Sequence, residues 1–227
     1  MMARCCLLGA FAISIMGQTP PYNFTYVPPG SLFGNSGAPY SADEIHEHSK
    51  PDATGKLIAE PAEVRHVYRD SQGRKRTEIP VSQSKLSVVE IEDPVAGFKI
   101  VLDPQARIAH RLKVARSQVS PLTGSALLSR PVGSDQPLGT QTIGGLLAVG
   151  TRSVVNLEHG ASTIDTWTIP ELSVIGLVKN TLPRMGVFTT RLEHIRRAEP
   201  DAFLFLIPPE YGVSEESGTF SFAIRRP

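Results

Sequence analysis

Two aspartates, Asp93 and Asp103, stand before prolines in IEDPVAGFKIVLDPQARIAHRL (residues 91–112), and paired carboxylates are the usual equipment for hydrolytic acid–base chemistry. That chemistry needs the two carboxyl groups about 5–9.5 Å apart. Set at opposite ends of one extended segment, at ~3.3 Å per residue, they are expected about 30 Å apart. An aspartate before proline has another use: it accepts backbone N–H groups just ahead of it while proline presets φ for a reversal. Both are therefore read as turn formers.

EIHEH (44–48) places Glu44, His46 and His48 on one face of a strand, the beginning of a transition-metal site. No third and fourth ligand spacing supports it, and an exposed polar edge strand is expected instead. His66, His110, His159 and His194 are dispersed along the chain and are read as surface or sheet-face residues. RDSQGRKR (69–76) gathers four basic side chains around a turn, a grouping suited to phosphate. Asp70 and Glu78 stand beside it and strand alternation divides the charges, so a solvated hairpin tip is expected. No nucleophile elbow, phosphate loop, dinucleotide fingerprint or H-E-x-x-H string occurs. The expectation is a protein that is not an enzyme, with no catalytic, cofactor-binding or metal-ligating residue assigned and no cofactor.

The elements that position these residues begin with MMARCCLLGAFAISIMGQTP. One positive charge, a twelve-residue apolar run from Cys5 to Met16 and a small-residue end form a secretory signal pattern, with cleavage expected after Gly17. As a helix the run spans about 18 Å, short of the ~30 Å hydrocarbon layer, so no transmembrane span is expected once residues 1–17 are removed. An exported protein follows, periplasmic or extracellular. Both cysteines, Cys5 and Cys6, lie in that leader, so disulfides and thiolate chemistry are excluded from the mature chain. Losing Arg4 from the 23 basic residues leaves them equal to the 22 acidic ones. A neutral chain of this kind has no nucleic-acid footprint.

Residues 18–38 read as an extended lead-in rich in proline and glycine. From residue 39 to 213, β-rich runs alternate with turn signals: PDATGK, RDSQGR, the two Asp-Pro turns, Gly144-Gly145, Pro170 and TLPRMG. Residues 115–137 form a long polar loop and 214–227 a C-terminal tail. Glu199-Pro200-Asp201 is expected to start one helical turn that delivers Phe203 and Phe205 to the core. Ten or eleven antiparallel strands in a meander result, with little helix. Along FKIVLD, Phe98, Ile100 and Leu102 share one face, opposite Lys99, Val101 and Asp103. Trp167, the single tryptophan, lines a groove or fills the core.

Four strings, YRDSQGRKRTE (68–78), IEDPVAGFKIVLDPQARIAHR (91–111), LGTQTIGGLLAVGTR (138–152) and RLEHIRRAEPDAFLFLIPPEY (191–211), together resemble an uncharacterised family of exported bacterial proteins seen especially in acidobacteria. IDTWTIPEL (164–172) departs from that family's E-x-W-x-S-P-E-L element at Asp165 and Ile169. The order of elements, with an I-x-G segment at Ile143–Leu147 and a phenylalanine–proline segment at Phe203–Pro209, also resembles the LolA-like group of periplasmic lipoprotein carriers and their sensor relatives. That likeness implies a mainly β fold, a curved antiparallel sheet forming an incomplete barrel with one or two short helical turns. It implies an apolar concave face for a lipid acyl chain or hydrophobic peptide, with Phe98, Ile100, Leu102 and Trp167 as the expected ligand face. The alternative is a structural or sensory cell-envelope module working through a protein partner.

Overall fold

The computed structural model describes residues 20–26, 37–114, 136–157 and 160–225; the leader and most of the 115–137 loop lie outside them. The described chain is nearly all β. One curved sheet, not closed into a barrel, contains β2 (Tyr40–Pro51), β3 (Leu57–Ala59), β4 (Glu63–Arg69), β5 (Lys75–Pro80), β6 (Ser87–Asp93), β7 (Phe98–Asp103) and β8 (Ile108–Lys113), followed by β9 (Gln136–Ile143), β10 (Leu146–Leu157), β11 (Gly160–Ile169), β12 (Val174–Leu182), β13 (Gly186–Arg196) and β14 (Gly212–Glu216). Its strand order is β14-β8-β7-β6-β5-β4-β2-β13-β12-β11-β10-β9, with β3 beside the end of β2. Two meanders, β4–β8 and β9–β13, are thus joined through β2. All neighbours are antiparallel except β14, which runs parallel to β8.

The punctuation acts as its chemistry requires. Asp93 Oδ1 accepts from the backbone N–H groups of Val95 at 2.9 Å and Ala96 at 2.8 Å, and Asp103 Oδ1 from Gln105 at 2.8 Å and Ala106 at 3.0 Å. Gly97, at φ 77°, closes the first turn. Asp93 pairs with Phe98 across that turn, so only β7 separates the two aspartates, about 17 Å at 3.3 Å per residue. The separation is shorter than the 30 Å expected, because residues 94–97 form the turn and bring Phe98 back opposite Asp93. It is still too long for paired-carboxylate chemistry.

Both faces of β5–β8 are covered by the chain itself. On one face, Val89, Ile91, Ile100, Leu102 and Ala109 pack under Phe205, with Leu204, Ile207 and Tyr211 alongside. These come from the stretch around a single 3-10 turn, Ala202–Phe205, capped by the Asp201 side chain. The helical turn forms as expected, but Phe205 is buried while Phe203 is 79% exposed. One turn of this geometry cannot send both rings inward.

The other face carries Ile79, Val88, Val101 and Leu112 against a separate two-stranded ribbon, β1 (Tyr22–Tyr26) and β15 (Phe220–Ile224). Residues 22–26 are extended, as the lead-in reading has it, and they are also paired in register with 220–224. Phe24 and Phe222 stack with centroids 5.0 Å apart. A third cluster joins Tyr40, Ala42, Val67 and Leu192 to Ile143, Leu146, Ala148, Ile169 and Leu172 from β9–β11 and the turn after β11. Trp167 packs against it, with its ring over Gly150, where a Cβ would overlap it.

RDSQGRKR is not a solvated tip. Asp70 is buried, and its carboxylate accepts from Gln72 N at 3.0 Å, Arg74 N at 2.8 Å and Arg74 Nε at 2.6 Å. The Arg74 guanidinium lies 4.8 Å from the centre of the Phe205 ring, Arg76 donates to the Leu204 carbonyl at 2.8 Å, and the N–H of Ser71 donates to Glu199 at 3.0 Å. The turn clamps the 199–205 stretch onto the sheet, and Arg74 and Arg76 are spent there. Arg69 is buried and donates to the Ala38 and Leu172 carbonyls.

Candidate functional site

Antiparallel register fixes which side chains share a face, because residues directly opposite point the same way. Across β10–β13, one face carries Arg152, Asp165, Lys179, Arg191 and Glu193, connected through the pairs Arg152–Asp165, Asp165–Lys179 and Lys179–Thr189, with Thr189 sharing its side of β13 with Arg191 and Glu193. Arg152 and Asp165 form a double hydrogen bond at 2.6 and 2.7 Å, and Arg191 reaches Glu47 at 2.6 Å and Glu193 at 2.8 Å.

The opposite face of β9–β13 is uncharged. It consists of Thr140 and Thr142, then Leu147, Val149, Thr151 and Ser153, then Ile164, Thr166 and Thr168. Beyond them come Ile175, Val178 and Asn180, and finally Phe188 and Thr190. Leu147, Val149 and Ile175 are 61%, 43% and 42% exposed. Val149, Thr168 and Ile175 form one row across three strands.

This uncharged face ends at β2, where Phe188 pairs with His48, Thr190 with His46 and Leu192 with Glu44. The EIHEH strand therefore lies between β13 and β4, not at an edge. The edge reading fails because polar character alone does not mark an edge when the neighbouring strands supply partners. A pocket of about 250 Å³ opens there, lined by His46, His48, Glu60, Glu63, Arg65 and Phe188 among others. His46 Nε2 bonds Glu44 at 2.7 Å and its Nδ1 meets Thr190 Oγ1 at 3.2 Å. His48 stacks on Phe188 with centroids 3.9 Å apart. Its Nδ1 lies 2.8 Å from Glu60 and its Nε2 3.0 Å from the Met185 carbonyl. That carbonyl, followed by Glu60, raises the His48 pKa above its usual value. Lys50 and then His48 lower that of Glu60. Among the described residues no group of three or more His, Cys, Asp or Glu could hold a metal.

Of the four residues expected to form a ligand face, Phe98, Ile100 and Leu102 alternate along β7 as expected, while Trp167 does not join them. Ile100 and Leu102 are buried beneath Phe205. Phe98, at the strand's end, lies under the Arg111 guanidinium at 5.0 Å. Trp167 belongs to the cluster at the far end of the sheet. Two histidines read as dispersed do meet: His66 and His194 bond the two oxygens of Asp43 at 2.7 and 2.8 Å. Their distance along the chain hides this, and the pairing of β2 with both β4 and β13 creates it. His110 lies against Phe220 and Phe222 of the ribbon, and His159 is outside the described residues.

No family model matches the chain. No curated protein matches it either. Among solved structures it is similar to an uncharacterized conserved protein from Thermus thermophilus, at 10% identity over 80% of this chain and 93% of that one, with a TM-score of 0.49. The MucA/MucB complex of Pseudomonas aeruginosa gives 10% identity over 80% of this chain and 59% of that one, with a TM-score of 0.49. MucB itself gives 9% identity over 78% and 60%, with a TM-score of 0.47. This chain thus spans less than two thirds of the MucB chains. Likenesses of this degree say nothing about function.

Proposed function

We propose that the protein is exported and works without catalysis, holding an apolar partner, a lipid acyl chain or a hydrophobic peptide, against the uncharged face of β9–β13. One observation carries this reading: five successive strands place every charge of their common register on the opposite face. A sheet face that only meets water gains solubility from charges. One that receives an apolar partner avoids them, because each charge buried without a counter-ion costs several kcal/mol. Exposed Leu147, Val149 and Ile175 supply apolar area at one end, and Thr140, Thr142 and Thr151 are exposed beside it. Export rests on the leader pattern in residues 1–17. The ligand face moves from the Ile100 region, which Phe205 occupies, to the open half of the sheet.

The test is titration with an environment-sensitive fatty-acid fluorophore. Enhancement is expected with the native protein. Val149→Lys and Thr166→Lys should weaken binding at least tenfold, about 1.4 kcal/mol. Lys179→Ala, on the charged face, should leave it unchanged. No enhancement, or equal losses for Val149→Lys and Lys179→Ala, would remove the proposal. The same flat row of Val149, Thr168 and Ile175 also suits a protein partner, the structural or sensory reading. Native protein recovered with lipid supports the carrier, and native protein recovered with one stoichiometric polypeptide supports the module.

A further inference from the structure

His48 sits between two groups that can only accept hydrogen bonds, the Glu60 carboxylate at Nδ1 and the Met185 carbonyl at Nε2. A neutral imidazole has one N–H and one bare lone pair, so it can satisfy one of them and must repel the other. With both bonds made, the ring carries two protons and a positive charge. These bonds connect three elements: β2, the stretch between β3 and β4, and the turn between β12 and β13.

We propose that His48 is a proton-operated latch that holds the β12–β13 turn against β2 when charged and releases it when neutral. Glu60 keeps its claim on the remaining N–H, because a carboxylate bond is stronger than a carbonyl one. The bare Nε2 then faces the Met185 oxygen, and the turn at residues 183–186 is the part that gives way. The turn is otherwise tightly seated: Gly186, at φ 93°, has no room for a Cβ against the Ser49 carbonyl.

The charged groups around the ring are accounted for on each element. On β2 they are Lys50, which pairs with Glu60, His46 and Glu44, which pair with each other, and Glu47, which lines the pocket and pairs with Arg191; the turn itself carries Arg184. Beside β3 it is Glu60, and on β4 Glu63 and Arg65, which bond each other at 2.6 Å. From β13 the ring meets the uncharged Phe188. The raised pKa of His48 agrees with this arrangement, with the Met185 carbonyl as first cause and Glu60 acting in the same direction against Lys50. A group with a raised folded-state pKa stabilises the fold fully below its unfolded value, and that contribution is lost as pH rises through the folded value. Release thus occurs on the alkaline side of the ordinary histidine value of 6.5.

The test is a pH titration of the purified protein by NMR, following the His48 ring and the backbone amides of residues 184–187. A His48 midpoint above 6.5, shared by those amides, is expected. In Glu60→Gln the ring midpoint should fall, and in His48→Gln the turn amides should lose that transition while circular dichroism is retained. A His48 midpoint at or below 6.5 overturns the latch, as does a turn transition that persists in His48→Gln. Should His48→Gln fail to fold, Glu60→Gln decides alone: an unchanged midpoint is fatal. None of these readouts uses the fatty-acid fluorophore, so the latch and the binding face fail separately.

Discussion

Lys99 shows how single residues keep this sheet in register. Its ammonium is buried between Glu92 at 2.7 Å, directly opposite on the neighbouring β6, and Glu90 at 2.6 Å, the next residue along on that face. Burial alone would lower its pKa, but Glu92 and Glu90 more than reverse that and hold it above the ordinary range. Lys99→Ala leaves two carboxylates facing each other and is expected to cost about 2–3 kcal/mol in urea unfolding. Asp43 contributes to stability at acid pH. Burial would raise its pKa, but hydrogen bonds from His194 and His66 hold it below the usual aspartate value. A carboxylate with a depressed folded-state pKa contributes above its unfolded value and loses that contribution as pH falls through the folded one. Asp43→Asn should therefore flatten the loss of stability as pH falls through and below the ordinary aspartate value of 3.8, read from chemical unfolding at each pH. The Asp-Pro turns were legible from two residues each, since the aspartate, the proline and the turn act within a few positions. The Asp43 bridge was not, because nothing local distinguishes a histidine that will meet a partner from across two strands.

Elements were recovered where their signals are local. The Gly144-Gly145 hairpin, both glycines at positive φ, and the strands on either side of Pro170 follow from turn chemistry and alternation. What covered each face was hidden. FKIVLD reads as a strand with an apolar face toward an open hollow, yet Phe205 from far later in the chain fills that space. Glycine can also mark a contact and not a turn. Gly150, in the middle of β10, makes room for the Trp167 ring from β11. Gly150→Ala should displace that ring and cost about 1–3 kcal/mol. With a single tryptophan in the chain, a red shift of the emission maximum reports the displacement directly.

At the scale of the molecule, the sheet divides into a sealed half and an open half. Over β5–β8 each face is capped, by the ribbon on one side and by the 201–211 stretch on the other. Over β9–β13 one face is charged and the other is neutral, with Leu147, Val149 and Ile175 exposed on it among the described residues. The sealed half depends on its caps: Phe24→Ala, which empties the stacked pair in the ribbon, should cost about 3 kcal/mol and raise binding of a hydrophobic dye. The ribbon itself joins Tyr22 to Ile224 and Tyr26 to Phe220, residues from the two extremes of the described chain. During synthesis, therefore, β1 cannot find its partner until residues 220–224 have been made. Pairing across so long a stretch of chain is costly in loop-closure entropy, which makes the ribbon a slow contact to form.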